Sequence, residues 1–303
     1  MHQTTLSGIL RLQEQYDVLK KKKLFLLTVL EESELSESVY NSNAIENSTL
    51  TLDETEKILL HQELPLSQRS QREVFEAINL ARVTEYLNEK MQKKIPLTED
   101  MILLVHKTLL SHIDDSIAGR FRQGDEYVRV GRHIAPSPDR VPYQMQSLLD
   151  AYHKETTHPL QRIITFHLEF EKIHPFCDGN GRVGRALINF QLKSHGFPPI
   201  IVQNKEKQQY YDSFEAYESA KSTKKLERII AILLKESLHK RISYLRGNEI
   251  VKLSAIKKKY PKLSAQSVTS SAKKQSLPAF RERGHWKVGV EQFEEWIRQR
   301  KKL

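Results

Sequence analysis

The chain has 303 residues, of which 39% are hydrophobic and 28% charged, with a single cysteine, Cys177. That is the make-up of a globular protein with a real core. It excludes an intramolecular disulfide framework, and no run of 18 apolar residues offers a membrane span. The formal charge is +10, so either a basic solvated surface or an acidic partner is in play, and its position along the chain decides which.

The opening stretch MHQTTLSGILRLQEQY has no basic start followed by an apolar block and a small-residue cleavage site. No signal peptide is expected, and a cytoplasmic location follows. Helical periodicity runs from residue 9 to about 31, and ESELSESVYNSNAIEN continues as a further helix or a helix plus a turn. QREVFEAINLARVTEYLNEKMQ is a long amphipathic helix with Phe75, Ile78, Ala81 and Tyr86 among its apolar positions, and Thr98 caps a helix reaching His112. EYVRVGRHI, residues 126–134, alternates in period two around Gly131 and reads as a short hairpin among helices. A lone short hairpin has open edges, which pair readily with an extended peptide. LQRIITFHLEFEKI, RVGRALINFQLKSHG (ended by Gly196), KQQYYDSFEAYESA and KKLERIIAILLKESLHKRISYL supply four more helices.

The charge is concentrated at the end. Residues 247–303 carry 14 Lys and Arg against 5 Asp and Glu, net +9, leaving 34 against 33 for the other 246 residues. Both tryptophans, Trp286 and Trp296, lie in this tail. VKLSAIKKKYP reads as a short helix ended by Pro261, and LSAQSVTSSAKKQ as a second helix capped by Ser264. PAFRERGHWKVG is a hairpin with a Gly284-His285 turn, and VEQFEEWIRQR is a final helix with Phe293 and Trp296 on one face. Helix, helix, hairpin, helix is the order of a small winged helix-turn-helix, and the stretch resembles excisionase-like winged domains. A basic helix and wing suit phosphate contact, with Lys257, Lys258, Lys259, Lys273, Lys274, Arg281, Arg283 and Lys287 as candidate nucleic-acid contacts. A protein-interaction module is the competing reading.

Residues 174–185, HPFCDGNGRVGR, contain GxGxxG. A dinucleotide fingerprint needs an apolar strand before the glycines, whereas HLEFEKIHPFCD is charged and helical in period. A Walker A loop needs Lys and then Ser or Thr after the last glycine, but Arg185 and Ala186 follow Gly184. A loop entering a helix fits the residues better. Glycines let the backbone approach an anion, and the free N–H groups of a helix start bind phosphate. Arg182 and Arg185 project together from that start and suit a polyphosphate. Asp178 can hold Mg²⁺ against the phosphate, and His174 can take a proton from a hydroxyl. A nucleophilic Cys177–His174 pair would need a lowered thiol pKa.

HPFCDGNGRVGR matches the Fic-family signature HPFx(D/E)GNGRxxR at every fixed position. The resemblance implies a mainly α fold: a Fic-type helical bundle with a short β-hairpin flap, here followed by a small C-terminal winged-helix domain. It implies transfer of AMP from ATP to a Ser, Thr or Tyr hydroxyl of a target protein, with the chain itself among the candidate targets. His174 would be the general base and Asp178 the Mg²⁺ ligand. Gly179, Asn180 and Gly181 would hold phosphate oxygens, and Arg182 and Arg185 the outer phosphates. Tyr127, Val128, Arg129 and Val130 fall where the family's flap docks its target. Tyr211, beside Tyr210, falls where the family contacts adenine.

Ser42–Asn47, SNAIEN, fits (S/T)xxxE(G/N) and resembles the inhibitory helix of autoinhibited Fic proteins. There Ser42, Glu46 and Asn47 would form the inhibitory motif, with Glu46 engaging Arg185 in place of the γ-phosphate, since arginine binds either anion bidentately. In some relatives the same glutamate helps remove AMP, so writing and erasing both stay open. The expected domains are 1–96, with the inhibitory helix at about 32–47, then a catalytic core at 97–246 and the basic module at 247–303. Two other functions stay open: a nucleotide-sensing DNA-binding regulator, and transfer of a different phosphate-containing group. No membrane partner is expected, and an oligomer is possible.

Overall fold

The computed structural model describes residues 1–61, 70–131, 133–260 and 263–300, and for Lys257 and Lys258 the backbone only. Pro261 and Arg132 lie outside the described residues. The chain divides into two compact units, residues 35–227 and a second made of residues 1–34 with 228–303. This cuts the chain differently from the boundary at 246 that composition suggested and the one at 96 that the resemblance implied.

The 35–227 unit begins inside helix α2 (Leu24–Ile45). The break before α2 falls at residues 21–23, after α1 (Gln3–Lys20), and not near residue 31 as periodicity suggested. Four successive lysines, residues 20–23, repel one another there. A short helix that the periodicity did not mark, α3 (Leu52–Glu56), is set by a capping box between Thr51 and Glu54 and continues as a wide turn through His61. Then come α4 (Gln71–Gln92), α5 (Glu99–Leu110), α6 (Val141–Lys154), α7 (Pro159–Ile173), α8 (Asn180–Ser194) and α9 (Lys207–Ala220). Ser70 caps α4 and Thr98 caps α5, each accepting from the third backbone N–H of its helix.

Helices α4, α5, α6, α7 and α8 pack on one another in this unit. Their apolar stripes meet in one core: Val74, Ala77 and Leu80 from α4, Ile102 and Val105 from α5, Met145 from α6, Phe166 and Phe170 from α7, Val183 and Leu187 from α8. The hairpin between α5 and α6 is smaller than its sequence pattern suggested. Strands β1 (Arg129–Val130) and β2 (His133–Ile134) pair antiparallel with Arg129 opposite Ile134.

The other unit holds α1, the first half of α2, most of α10 (Lys224–Arg246), and a terminal module. The module runs β3 (Ile250–Lys252), α11 (Leu253–Lys259), α12 (Ala265–Lys273), β4 (Ala279–Glu282), β5 (His285–Gly289) and α13 (Val290–Arg300). Its sheet order is β3-β5-β4, all antiparallel, so β3 adds a strand to the four elements expected. The hairpin turn sits at Arg283-Gly284, both at positive φ (50° and 75°), one residue earlier than expected. Two adjacent positive-φ residues are what a tight two-residue hairpin requires. Val268, Phe280, Val288, Phe293 and Trp296 are all buried. The unit also buries charge. Arg241, 1% exposed, donates to Glu34 Oε2 at 2.7 Å, and Arg281 grips Glu236. No helix among the described residues is long and apolar enough to cross a membrane.

Candidate active site

The turn from α7 into α8 carries the GxGxxG stretch. Pro175 disfavours helical backbone at the residue before it, and His174 leaves α7 in the left-handed region, φ 49°. Gly179, at φ 80°, turns the chain into α8, which starts at Asn180, two residues earlier than expected. Gly179 is needed twice over, since a Cβ there would also press on Leu109 at 3.0 Å.

The loop is held from inside. Asn180, 2% exposed, accepts from Phe176 N at 2.9 Å and donates back to Phe176 O at 2.8 Å. Its side chain therefore latches the loop, with its backbone N–H at the start of α8. His106 accepts from Gly119 N on Nδ1 at 3.0 Å, so its Nε2 carries the hydrogen and donates to Asp178 O at 3.0 Å. The His106 ring stacks on Phe176 at 3.7 Å. Arg122, 1% exposed, donates to four carbonyls: His174 O at 2.7 Å, Ile173 O at 3.2 Å, Pro136 O at 2.8 Å and Glu126 O at 3.1 Å. It ties both ends of the hairpin segment to the backbone of the loop.

His174 is neutral. Burial lowers its pKa to about 4, with Arg122 adding to the shift, against an opposing hydrogen bond to Glu171 O. Nδ1 lies 3.4 Å from Glu171 O, and a carbonyl can only accept. Nδ1 thus carries the hydrogen and Nε2 keeps its lone pair, the form a base requires. Cys177 is the opposite case. Burial and the neighbouring Glu126 push its thiol up to about 11, so a thiolate nucleophile is not available.

Asp178 is ionised. Burial would raise its pKa, but Arg182, the Gly179 N–H and Arg72 together hold it below the usual carboxylate range. Gly179 N donates to Oδ1 at 2.6 Å and Arg182 Nη2 to the same oxygen at 3.1 Å. Arg72 Nη2 donates to Oδ2. Among the described residues no cluster of three or more metal-ligating side chains occurs. One carboxylate at a half-buried loop nonetheless fits Mg²⁺, which binds through one or two carboxylates plus substrate phosphates and keeps several waters.

Arg185 faces the last residues of α2. Its Nε donates to Ser42 Oγ at 3.0 Å, and its Nη2 to Ser42 O and to Glu46 Oε1, both at 2.8 Å. Burial opposes the charge on Arg185, yet Glu46 and Glu171 raise its pKa overall. The Glu46 carboxylate lies on the face of Gly181, where a Cβ would collide with Glu46 Oε1. Asn47 closes α2 at φ 69°, with Ser48 N donating back to Asn43 O at 3.0 Å. Arg185 Nη1 and Arg182 Nε are buried and have no hydrogen-bond partner among the described residues. Buried donors of this kind are costly unless a ligand supplies the acceptor, and phosphate oxygens are the matching chemistry.

Residues 96–192, which include the whole loop, match the model of the Fic/DOC family. That stretch is similar to the Fic/DOC family. The Drosophila melanogaster protein adenylyltransferase Fic is 35% identical over 176 residues, covering 57% of this chain and 35% of that protein. The chain thus spans about a third of the length of the curated relatives it matches. Among solved structures, a Fic-domain signalling protein from Bacteroides thetaiotaomicron is 26% identical, with a TM-score of 0.73 over 80% of this chain and 97% of that one. C. elegans Fic-1 is 28% identical, with a TM-score of 0.69 over 79% of this chain and 70% of that one. A Fic family protein from Desulfovibrio desulfuricans, 22% identical, shares the fold over 96% of this chain and 97% of its own, with a TM-score of 0.67.

Around the loop, the remaining expected residues fall in different places. Tyr211 OH donates to Ile45 O at 3.2 Å, at the end of α2, and burial pushes its pKa up to about 12. Tyr210 is wholly buried and bonded to His167 Nε2 at 2.6 Å. Of the hairpin residues, Tyr127 is 66% and Val130 45% exposed. Only Arg129 and Val130 are in a strand; Tyr127 and Val128 precede it, and Val128 O accepts from Ala135 N at 3.1 Å. β1 and β2 form a two-stranded sheet with no third strand among the described residues.

Three residues at the start of α4 have no signal in the sequence. Glu73 accepts from Thr49 N at 2.5 Å and Thr49 Oγ1 at 2.9 Å, just past Glu46. Arg72 reaches Asp178, and Glu76 pairs with Arg182 Nη1 at 3.0 Å. On an amphipathic helix such residues read as a solvated face.

The nucleic-acid candidates divide. Arg281 is taken by Glu236 in a pair about 10% exposed on each side, with its guanidinium 5.1 Å over Trp286. Lys287 pairs with Glu282, and Lys259 with Glu294 at 3.4 Å. Arg281 and Lys287 are thus held in structural ion pairs, whereas Lys259, 64% exposed, keeps its side chain towards solvent. Lys273, Lys274 and Arg283 are exposed. The side chains of Lys257 and Lys258 lie outside the described residues.

Proposed function

We propose that the chain is a protein adenylyltransferase that moves AMP from ATP to a hydroxyl side chain of a protein and is held back by Glu46. The observation that carries this is a neutral, lone-pair-bearing His174 beside an anion cradle whose arginine is already engaged by a carboxylate. His174 Nε2 takes the proton of the target hydroxyl. The hydroxyl oxygen bonds to the α-phosphorus as the bond from that phosphorus to the bridging oxygen breaks, and pyrophosphate leaves. Negative charge grows on the phosphates, where the N–H groups of the α8 start, Arg182 and Arg185 stabilise it. Asp178 would hold Mg²⁺, which supplies further neutralisation of phosphate charge.

Glu46 on Arg185 takes the place of the outermost phosphate. ATP then lacks the partner that would align its α-phosphate with His174, so transfer is slow until Glu46 leaves. The exposed hairpin, with Tyr127, Val128, Arg129 and Val130, supports docking of an extended target segment by strand pairing.

The test is label transfer to protein from α- or γ-labelled ATP, with Mg²⁺ and cell extract, by wild type, Glu46→Gly and Glu46→Gly/His174→Ala. Label from α-ATP alone, high in Glu46→Gly, low in wild type and absent in the double variant, is expected. Label from γ-ATP would mean phosphate transfer and overturn the reaction type.

Charge segregation supports a second role for the terminal module as a winged helix that binds nucleic acid, with Lys273, Lys274 and Arg283 as its exposed cations. An electrophoretic shift at two salt concentrations tests it, since phosphate contacts weaken steeply with salt. No binding at low salt would remove that role.

A further inference from the structure

We propose that Arg72 is a built-in counter-ion of the cation site, occupying the one Asp178 oxygen that a divalent cation can reach and leaving when the cation arrives. The inference rests on Asp178 being the cation ligand.

The two oxygens of Asp178 are not equivalent. Oδ1 already accepts from the Gly179 N–H and from Arg182 Nη2. Arg182 is only 3% exposed and is fixed on its other side by Glu76 Oε1 at 3.0 Å. That oxygen is already filled by a backbone N–H and a buried guanidinium. Among the described residues, Oδ2 is covered by Arg72 Nη2 alone. Arg72 is 51% exposed and Asp178 39%, so this pair is open to solvent.

A cation approaching from solvent therefore meets Oδ2, and it meets Arg72 there. A guanidinium and a divalent cation cannot share one carboxylate oxygen, because like charges at contact distance repel. Arg72 also has somewhere to go. Its Nε donates to Glu76 Oε1 at 3.1 Å, one helical turn along α4. Pivoting on Glu76, it stays paired while Oδ2 is freed. An exposed ion pair is weak enough for a cation to displace, yet it keeps Asp178 ionised and aimed while no cation is bound.

The test uses the full chain with Glu46→Gly and a fluorescent, non-transferable ATP analogue, titrated with Mn²⁺. The readout is the half-saturating Mn²⁺ concentration for nucleotide binding. Arg72→Gln is expected to lower it by about two- to fivefold, the scale of an exposed ion pair, and Arg72→Lys by less. Nucleotide affinity in EDTA is expected to stay unchanged. Asp178→Asn is expected to abolish the Mn²⁺ response. A response lost in Asp178→Asn but unmoved by Arg72→Gln overturns the role of Arg72 alone. Weaker binding of Arg72→Gln in EDTA makes Arg72 a phosphate clamp and overturns it as well. An intact Mn²⁺ response in Asp178→Asn overturns both the cation site and the counter-ion.

Discussion

Arg185 Nη2 donates to Glu46 Oε1 at 2.8 Å, joining residues 139 apart in the sequence, and the same nitrogen donates to Ser42 O at 2.8 Å. One guanidinium thus reads both ends of the last turn of α2. The carboxylate lies on Gly181, at the start of the helix whose N–H groups face the loop. A carboxylate from the end of α2 thus lies against the start of α8.

Ser42 shares the hold on Arg185, so its loss should release the site in part. Ser42→Ala removes the Oγ acceptor for Nε. A hydrogen bond to a charged group contributes about 1.5–3 kcal/mol, so apparent ATP affinity should rise by about tenfold. Calorimetric titration of wild type, Ser42→Ala and Glu46→Gly should place Ser42→Ala between the other two. An unchanged affinity would show that Ser42 does not contribute.

Gly181→Ala should separate inhibition from catalysis. Its Cβ would collide with the Glu46 carboxylate and come within 2.9 Å of Arg185 Nη1. Removing Glu46 should not rescue it, because the same methyl group keeps phosphate off the backbone. Label transfer by Glu46→Gly/Gly181→Ala should fall by roughly a hundredfold relative to Glu46→Gly. Full activity would place the phosphates elsewhere.

The base should work at acid pH. With its pKa lowered to about 4, His174 is neutral throughout the range from pH 5.5 to 8. Initial rates of Glu46→Gly should be flat across that range, whereas a half-loss near pH 6.5 would mean an unperturbed imidazole.

Stability should carry the opposite signature. His106, His174 and His239 are lowered to about 4 and His167 to about 3, in each case chiefly by burial. A folded pKa below the unfolded value means the unfolded state binds the proton more tightly. Their contribution is therefore fully present above pH 6.5 and is lost as pH falls towards 4. The melting temperature, followed from pH 7.5 to 4.5, should drop steeply below 6.5. A flat profile would show these histidines are protonated in the folded protein.

In the terminal module, Arg281 and the exposed lysines should behave differently. Arg281→Ala leaves Glu236 buried without its partner, a loss of about 3–5 kcal/mol, and should lower the melting temperature. Lys273→Ala/Lys274→Ala should leave it unchanged and weaken any nucleic-acid binding, most visibly at low salt. The reverse pattern would reassign Arg281 to the surface.

The twelve residues of the loop were legible because their chemistry is local. His174, Asp178, Gly179, Gly181, Arg182 and Arg185 lie within one turn and one helix start, and spacing alone brings them together. The amphipathic helices were legible for the same reason, since a repeat of 3.6 residues needs no knowledge of partners. The bond of the Asn180 amide to Phe176 was not legible, because only packing shows which groups it meets.

Tertiary structure decided the rest. Arg72 lies 106 residues from Asp178, and Arg122 lies 52 from His174. No periodicity links such pairs, and a polar residue on an amphipathic helix looks alike whether it faces water or a catalytic loop. Which charge meets which depends on how α4 and α8 pack, and that packing is set by apolar contacts elsewhere in the helices. Composition located the excess charge in the terminal module. Only the fold showed that Arg281 and Lys287 are neutralised there while Lys273 and Lys274 stay exposed.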